Sequence, residues 1–161
     1  MSQRLIKFPF VLIAVLCAMS ALAQAPMPYG APVGVENAKK AAAAALDEAR
    51  KNNWKMAVAV VDPGGILVYY EKMDNTQTAS ADIAIEKART AVGFKRPTKV
   101  FQDAVAGGGA GLRILGIPGA VPVEGGIPLV VEGQIVGAIG VSGDSSDHDG
   151  ICATAGAGTI K

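Results

Sequence analysis

The chain has 161 residues, about the length of one domain, and is half apolar and 18% charged, so it can bury a core and is not disordered by composition. Fifteen Lys and Arg against fourteen Asp and Glu give a formal charge of +1, which excludes the basic footprint of a dedicated nucleic-acid binder. One His and two Cys cannot supply the four protein ligands of a tetrahedral zinc site of the Cys/His type, so that class is excluded within a single subunit.

Arg4 and Lys7 precede an apolar run, Phe8 to Leu22, interrupted only by Pro9 and Ser20. Ala21-Leu22-Ala23 then gives the A-x-A pattern of a secretory cleavage site. The pattern predicts a signal peptide over residues 1–23, cleavage after Ala23, and a periplasmic or secreted mature protein. Cleavage after Ala25 also fits A-x-A but would leave Pro26 first. The run is short for a membrane anchor, so no stable membrane insertion is expected after cleavage. Leu16 before Cys17 argues against lipidation. Loss of Arg4 and Lys7 takes the formal charge from +1 to −1, and loss of Cys17 leaves only Cys152. Without an intrachain disulfide, stability must come from packing, a ligand or oligomerisation.

Residues 24–34 (QAPMPYGAPVG) read as an extended arm and 35–161 as a single domain. Val35, Ala38, Ala42, Leu46 and Ala49 recur on one face of a helix over 35–53. The run Met56–Val61 reads as a strand covered on both sides, Asp62-Pro63-Gly64-Gly65 as a turn, and Ile66–Tyr70 as the return strand. Thr78 or Ser80 can cap a second helix running to about Phe94. Thr98 can cap a short helix through Val105, after which Gly107–Gly111 reads as flexible. Residues 116–128 form a loop rich in Gly and Pro, suited to binding or to a crossover. Pro128 cannot donate to a ladder, so Ile127–Val131 is predicted as an edge strand. Gln134–Ser142 follows as a strand, and Ser145 or Ser146 caps a last helix. This order predicts an antiparallel sheet of about five strands with flanking helices, an α+β fold, rather than a Rossmann array.

No dinucleotide fingerprint, Walker A motif or nucleophile elbow is present. A Ser-His-Asp triad would have to use His148, and nothing locates its serine. The acid-rich run Asp144–Asp149 fails the EF-hand spacing and reads better as carboxylates in a first helical turn, with metal binding as the alternative. His148 and Cys152 share an i, i+4 spacing that could pair thiolate with imidazole, or else marks a buried Cys below an exposed His. Asp82 and Glu86 share the same spacing and could hold a hard cation, or else form a solvated face with Glu86 near Arg89. Gly137 and Gly140 inside a strand mark the close approach of a ligand or of the Ala/Gly-rich last helix.

The stretch Val60–Thr98 (VVDPGGILVYYEKMDNTQTASADIAIEKARTAVGFKRPT) resembles the GlcG/HbpS-like family, which includes the C-terminal domain of PduO. Gly125–Gly143 (GGIPLVVEGQIVGAIGVSG), with Asp149 and the A-x-A-G of Ala153–Gly156, resembles its second motif. Together they cover most of residues 35–160. The resemblance implies a profilin-like fold, homo-oligomers, and haem binding. Many relatives carry a His after the Gly-Gly of the first hairpin, where this chain has Ile66, so haem ligation by that residue does not transfer. Iron binding by helix carboxylates would fall on Asp82, with Glu86 an imperfect match in spacing.

The reading that follows is an exported haem- or tetrapyrrole-binding protein acting as carrier, scavenger or sensor accessory, with iron as a further cofactor. An apolar pocket would hold the macrocycle while Lys or Arg pairs with its propionates. Axial ligand candidates are His148, Met56, Met73 and the tyrosines. The alternative is an enzyme or binding protein for a small organic acid or metabolite, with Lys87, Arg89 and the Gly125-Gly126 loop as an anion site. An accessory structural subunit is a third class.

Overall fold

The computed structural model describes residues 27–161; the expected signal peptide and the start of the arm lie outside the described residues. The first helix, α1 (Val35–Lys51), buries Ala38, Ala41, Ala42, Ala45, Leu46 and Ala49 on one stripe. Small residues dominate that stripe, so the helix can lie close to its neighbours. Val35, expected on the same face, sits exposed at the first turn instead. The hairpin follows as β1 (Ala57–Val61) and β2 (Leu67–Lys72). Its turn is fixed by Asp62, whose Oδ1 accepts the N–H groups of Gly64 and Ile66 at 2.8 and 2.9 Å, while Gly65 takes φ +77°.

Then come α2 (Ser80–Phe94), α3 (Lys99–Ala106), a 3-10 helix (Gly109–Gly116), β3 (Gly126–Val131), β4 (Gln134–Ser142) and α4 (Ser146–Ala157). Two cap expectations are corrected. Neither Thr78 nor Ser80 caps α2: Ala79 stands at its N-cap, and the Ser80 hydroxyl is buried without a partner among the described residues. Thr98 precedes α3, but its hydroxyl accepts the Gly126 N–H at 2.9 Å, which joins two distant segments instead of capping a helix. Of the stretch expected to be flexible, Gly109 and Gly111 enter the 3-10 helix, while Gly107 and Gly108 join it to α3.

The sheet is antiparallel, in the order β2-β1-β4-β3, so β3 is an edge strand as Pro128 required. Four strands form where about five were expected. The arm supplies a single parallel bridge, Tyr29 to Ile135, on the line that β1 vacates beyond Val61. Pro28 and Pro32 have no N–H, so the arm cannot extend that bridge into a ladder.

Strand alternation divides the core. Val58, Val60, Leu129, Ile139 and Val141 meet α1 and α4; Ala57, Ala59, Val61, Ile135 and Ala138 meet α2 on the other face. Full burial of Leu46, Leu129 or Ile139 contributes about 1.5–3 kcal/mol each. The α2 face is built of small residues, and a Cβ on Gly140 would run into the Ala84 carbonyl. A Cβ on Gly137 would meet the Val61 carbonyl and Val33. These strand glycines serve backbone packing, with α2 and not the last helix as the partner of Gly140. Among the described residues no helix is long and apolar enough to cross a membrane.

Candidate functional site

The turn between β4 and α4 holds the only imidazole. Ser145 is the N-cap of α4, its hydroxyl accepting the His148 N–H at 3.4 Å. This settles the acid-rich run as a helix start, with Asp147 and Asp149 in its first turn. The ring of His148 stacks on Trp54 at 3.8 Å between centroids and 13° between planes. His148 Nδ1 lies 2.8 Å from Asp144 Oδ1. The Ser145 N–H, and then His148, hold the Asp144 carboxyl below its usual range. A carboxylate only accepts, so Nδ1 carries a proton, and in the neutral ring Nε2 is the nitrogen with the lone pair. The side chain is 37% exposed. A carboxylate behind an imidazole is the usual support of a metal-ligating His, because it fixes both tautomer and ring orientation.

Lys87 and Asp149 are buried together, with Nζ 2.6 Å from Oδ2 and 3.2 Å from the Val141 carbonyl. Burial pushes the lysine down and the aspartate up, and each opposes that shift in the other. A Cβ on Gly125 would lie 3.0 Å from Nζ, and one on Gly126 would strike the Lys87 carbonyl. Lys87 is therefore sealed behind the Gly125-Gly126 loop and cannot meet a propionate or a substrate anion. Arg89 is exposed, held by Glu86 at 2.7 Å and donating to the Gly65 carbonyl at 3.2 Å. Lys87 and the Gly125-Gly126 loop meet, but as internal packing, and Arg89 is engaged elsewhere, by Glu86 and the hairpin turn, so no anion site is formed.

The metal candidates are placed as follows. Asp82 and Glu86 lie one turn apart on α2, with Glu86 occupied by Arg89. Among the described residues no group of three or more His, Cys, Asp or Glu stands together to hold a metal ion. Cys152 is buried, and desolvation pushes its thiol up to about 12, so no thiolate pairs with His148. Met56 is fully buried, and Met73 Sδ accepts its N–H at 3.5 Å. Tyr29 donates to the Val92 carbonyl at 2.9 Å and Tyr69 to Glu71 at 2.8 Å. Tyr70 is half-buried, and burial, then Asp82, raises its phenol. Of the axial candidates, His148 alone presents a lone pair on a supported, half-exposed donor. Ile66, at the position where relatives carry a His, is 65% exposed at the hairpin tip.

Two openings bear on binding. A groove of about 510 Å³ is lined by Arg50, Lys55, Glu71, Lys72, Met73, Asp74 and Asn75. It shares the α1–β1 connection with the imidazole, since Trp54 stacks on His148 and Lys55 lines the groove. A smaller pocket of about 180 Å³ lies against Gly125 and Gly126.

The chain matches the model of a family described as haem degrading protein HbpS-like, over residues 33–158. It belongs to the HbpS-like family. This HbpS-like chain is 44% identical to Protein GlcG of Escherichia coli over 100 residues, which span 62% of this chain and 73% of GlcG. A crystal structure of a Streptomyces reticuli HbpS double mutant superposes with a TM-score of 0.75 at 34% identity, covering 82% of this chain and 89% of that one. A crystal structure of a PduOC–haem complex superposes with a TM-score of 0.73 at 27% identity, covering 81% and 96%. These likenesses agree with the α+β fold described above.

The residues of this HbpS-like chain fit haem at its edge. His148 offers a nitrogen ligand, and Lys55, which makes no ion pair among the described residues, offers a cation for a propionate. The groove itself is open and charged, so it does not supply the apolar slot a macrocycle needs. Sequence reasoning missed the groove and the Trp54–His148 stack, because both join segments far apart in the chain.

Proposed function

We propose that this HbpS-like protein is an exported haem- or tetrapyrrole-binding protein that serves as a carrier, scavenger or sensor accessory. The observation that carries the reading is His148, held through Nδ1 by Asp144, braced on Trp54, and left with Nε2 free. Membership of the HbpS-like family and the likeness to a PduOC–haem complex support it. Bound haem supplies an iron centre whose reactivity is set by its axial ligand and surroundings. The chain contributes the positioning: Asp144 orients the imidazole, Trp54 restricts its rotation, and Lys55 can neutralise a propionate. Iron held by Asp82 is a subsidiary proposal, with Glu86 drawn away by Arg89.

The apolar cover is proposed to come from a second copy. Leu112, Leu115, Ile117 and Val123 are exposed together in one segment, and β3 leaves a sheet edge open. A closed homo-oligomer would cover both. Export is proposed on the Arg4/Lys7, apolar and Ala21–Ala23 pattern.

Haemin titration tests the reading. The wild-type protein is expected to give a saturable Soret spectrum. His148→Ala is expected to shift its maximum and weaken affinity while circular dichroism and particle mass stay the same. An unchanged Soret maximum moves the ligand elsewhere. No saturable spectrum in the wild type removes the haem reading.

A further inference from the structure

The pocket of about 180 Å³ takes no part in the haem reading. The start of α3 (Pro97, Lys99), the loop ahead of β3 (Glu124–Ile127) and one face of α4 (Gly150, Thr154) enclose it. The loop is pinned at three points: Gln102 accepts the Glu124 N–H at 2.8 Å, Thr98 accepts the Gly126 N–H at 2.9 Å, and the Gly125 carbonyl accepts the Val141 N–H at 2.9 Å. The pocket is therefore preformed, and a ligand would spend little of its binding energy on ordering it.

The charges around it are unevenly committed. Lys87, behind Gly125, is taken by Asp149 at 2.6 Å, and Lys99 by Asp103 at 2.8 Å. Lys99 stands 3.7 Å from Glu124, beyond hydrogen-bonding distance. Among the described residues no donor lies within hydrogen-bonding distance of the Glu124 carboxylate, although that side chain is only 18% exposed. Gly150 makes the room for it, since a Cβ there would strike Glu124 Oε1. The pocket thus has a largely apolar lining and one half-buried carboxylate whose only partner is the long ion pair to Lys99, so it keeps acceptor capacity for a ligand.

We infer that this pocket binds a small molecule with a short apolar body and an ammonium head, which the Glu124 carboxylate receives. The size admits only a few heavy atoms, well below the roughly 300–1,000 Å³ of drug-sized sites. A carboxylate head would face Glu124 with both nearby lysines already paired. This preference is opposite to the organic acid expected at Lys87 and Arg89, and it does not rest on the haem reading.

The test is a titration of the isotopically labelled protein, followed by amide shifts, with butylamine and butyrate as matched probes. Butylamine is expected to shift the amides of Gly125, Gly126, Gly150 and Thr154 saturably in the low millimolar range, and butyrate is not. Glu124→Gln keeps the shape of the side chain and removes the charge, and should weaken butylamine by about tenfold or more. Thr154→Leu crowds the pocket from a solvent-facing position of α4 and should also weaken it. Butyrate binding as tightly as butylamine overturns the inference, as does a butylamine response that does not saturate or survives both substitutions.

Discussion

Lys87 and Asp149, 62 residues apart in the chain, meet at 2.6 Å with both side chains almost wholly out of water. The pair ties α2 to α4 around the end of β4, where Lys87 also donates to the Val141 carbonyl. A buried pair of this kind gains little over apolar packing, but half of it is costly to keep, because the remaining charge has no partner. Lys87→Met and Asp149→Asn are each expected to destabilise the fold by about 3–5 kcal/mol in urea denaturation. The double substitution Lys87→Met with Asp149→Leu should recover most of that loss. Additive losses in the double variant would show that the two residues act separately.

The corner of Asp144, His148 and Trp54 gives an optical readout and a pH effect. Trp54 is the only tryptophan, so its emission reports on the ring stacked against it. An imidazole stacked on an indole alters its emission, so His148→Ala should change the intensity and maximum of Trp54 emission at fixed pH. Asp144 is held below its usual range, first by the Ser145 N–H and then by His148. Its ionised form therefore favours the folded state. That contribution is present above the unfolded value of about 3.9 and is lost as pH falls through the lower folded value. Urea midpoints measured across the acid range should drop less steeply in Asp144→Asn. Emission unchanged by His148→Ala would mean that the stack does not persist in solution.

Gly140 and Gly116 make a matched pair for packing. A Cβ on Gly140 would run into the Ala84 carbonyl and crowd the Ala88 N–H, both on the backbone of α2, which cannot move aside as a side chain can. Gly140→Ala is expected to cost about 1–3 kcal/mol or more. Gly116→Ala meets nothing within 4 Å and should stay within about 0.5 kcal/mol of wild type. Equal stability of the two variants would show that α2 does not sit on β4 as described.

Export makes a prediction about mass. Protein recovered from outside the cytoplasm should lack residues 1–23 and begin at Gln24. Soluble cytoplasmic protein that retains Met1 and performs the haem titration would sink the export reading.

The helices and strands were legible because their apolar spacing follows from which face is covered. The run Met56–Val61 reads as a strand covered on both sides, and β1 within it is so, with Val58 and Val60 on one side and Ala57 and Ala59 on the other. Pro128 placed β3 at an edge for a reason internal to the residue. The site was less legible, because its contacts join distant segments. Lys87 looked like a free cation, since nothing near it in sequence announces Asp149. Nothing near Trp54 in sequence points to His148, and only the fold stacks them. The glycines at 125 and 126 read as a ligand loop, whereas their missing side chains make room for the protein's own Lys87. Composition alone does carry one signal that could have been used: a lone Lys in an otherwise apolar helical stripe, Ala84, Lys87, Ala88 and Ala91, asks for a buried acid.

The strand order also has a consequence in time. β1 lies between β2 and β4, and its register pairs Ala57 with Ser142 and Val61 with Ala138. Until the ribosome has released the last fifth of the chain, residues 57–72 are a lone two-stranded hairpin, marginal in water by itself. The alanine stripe of α1 meanwhile has only part of its partner surface. A chain whose central pairing comes last stays open through most of its synthesis. The export proposed above would need that openness for passage through a narrow translocation channel, and the topology supplies it.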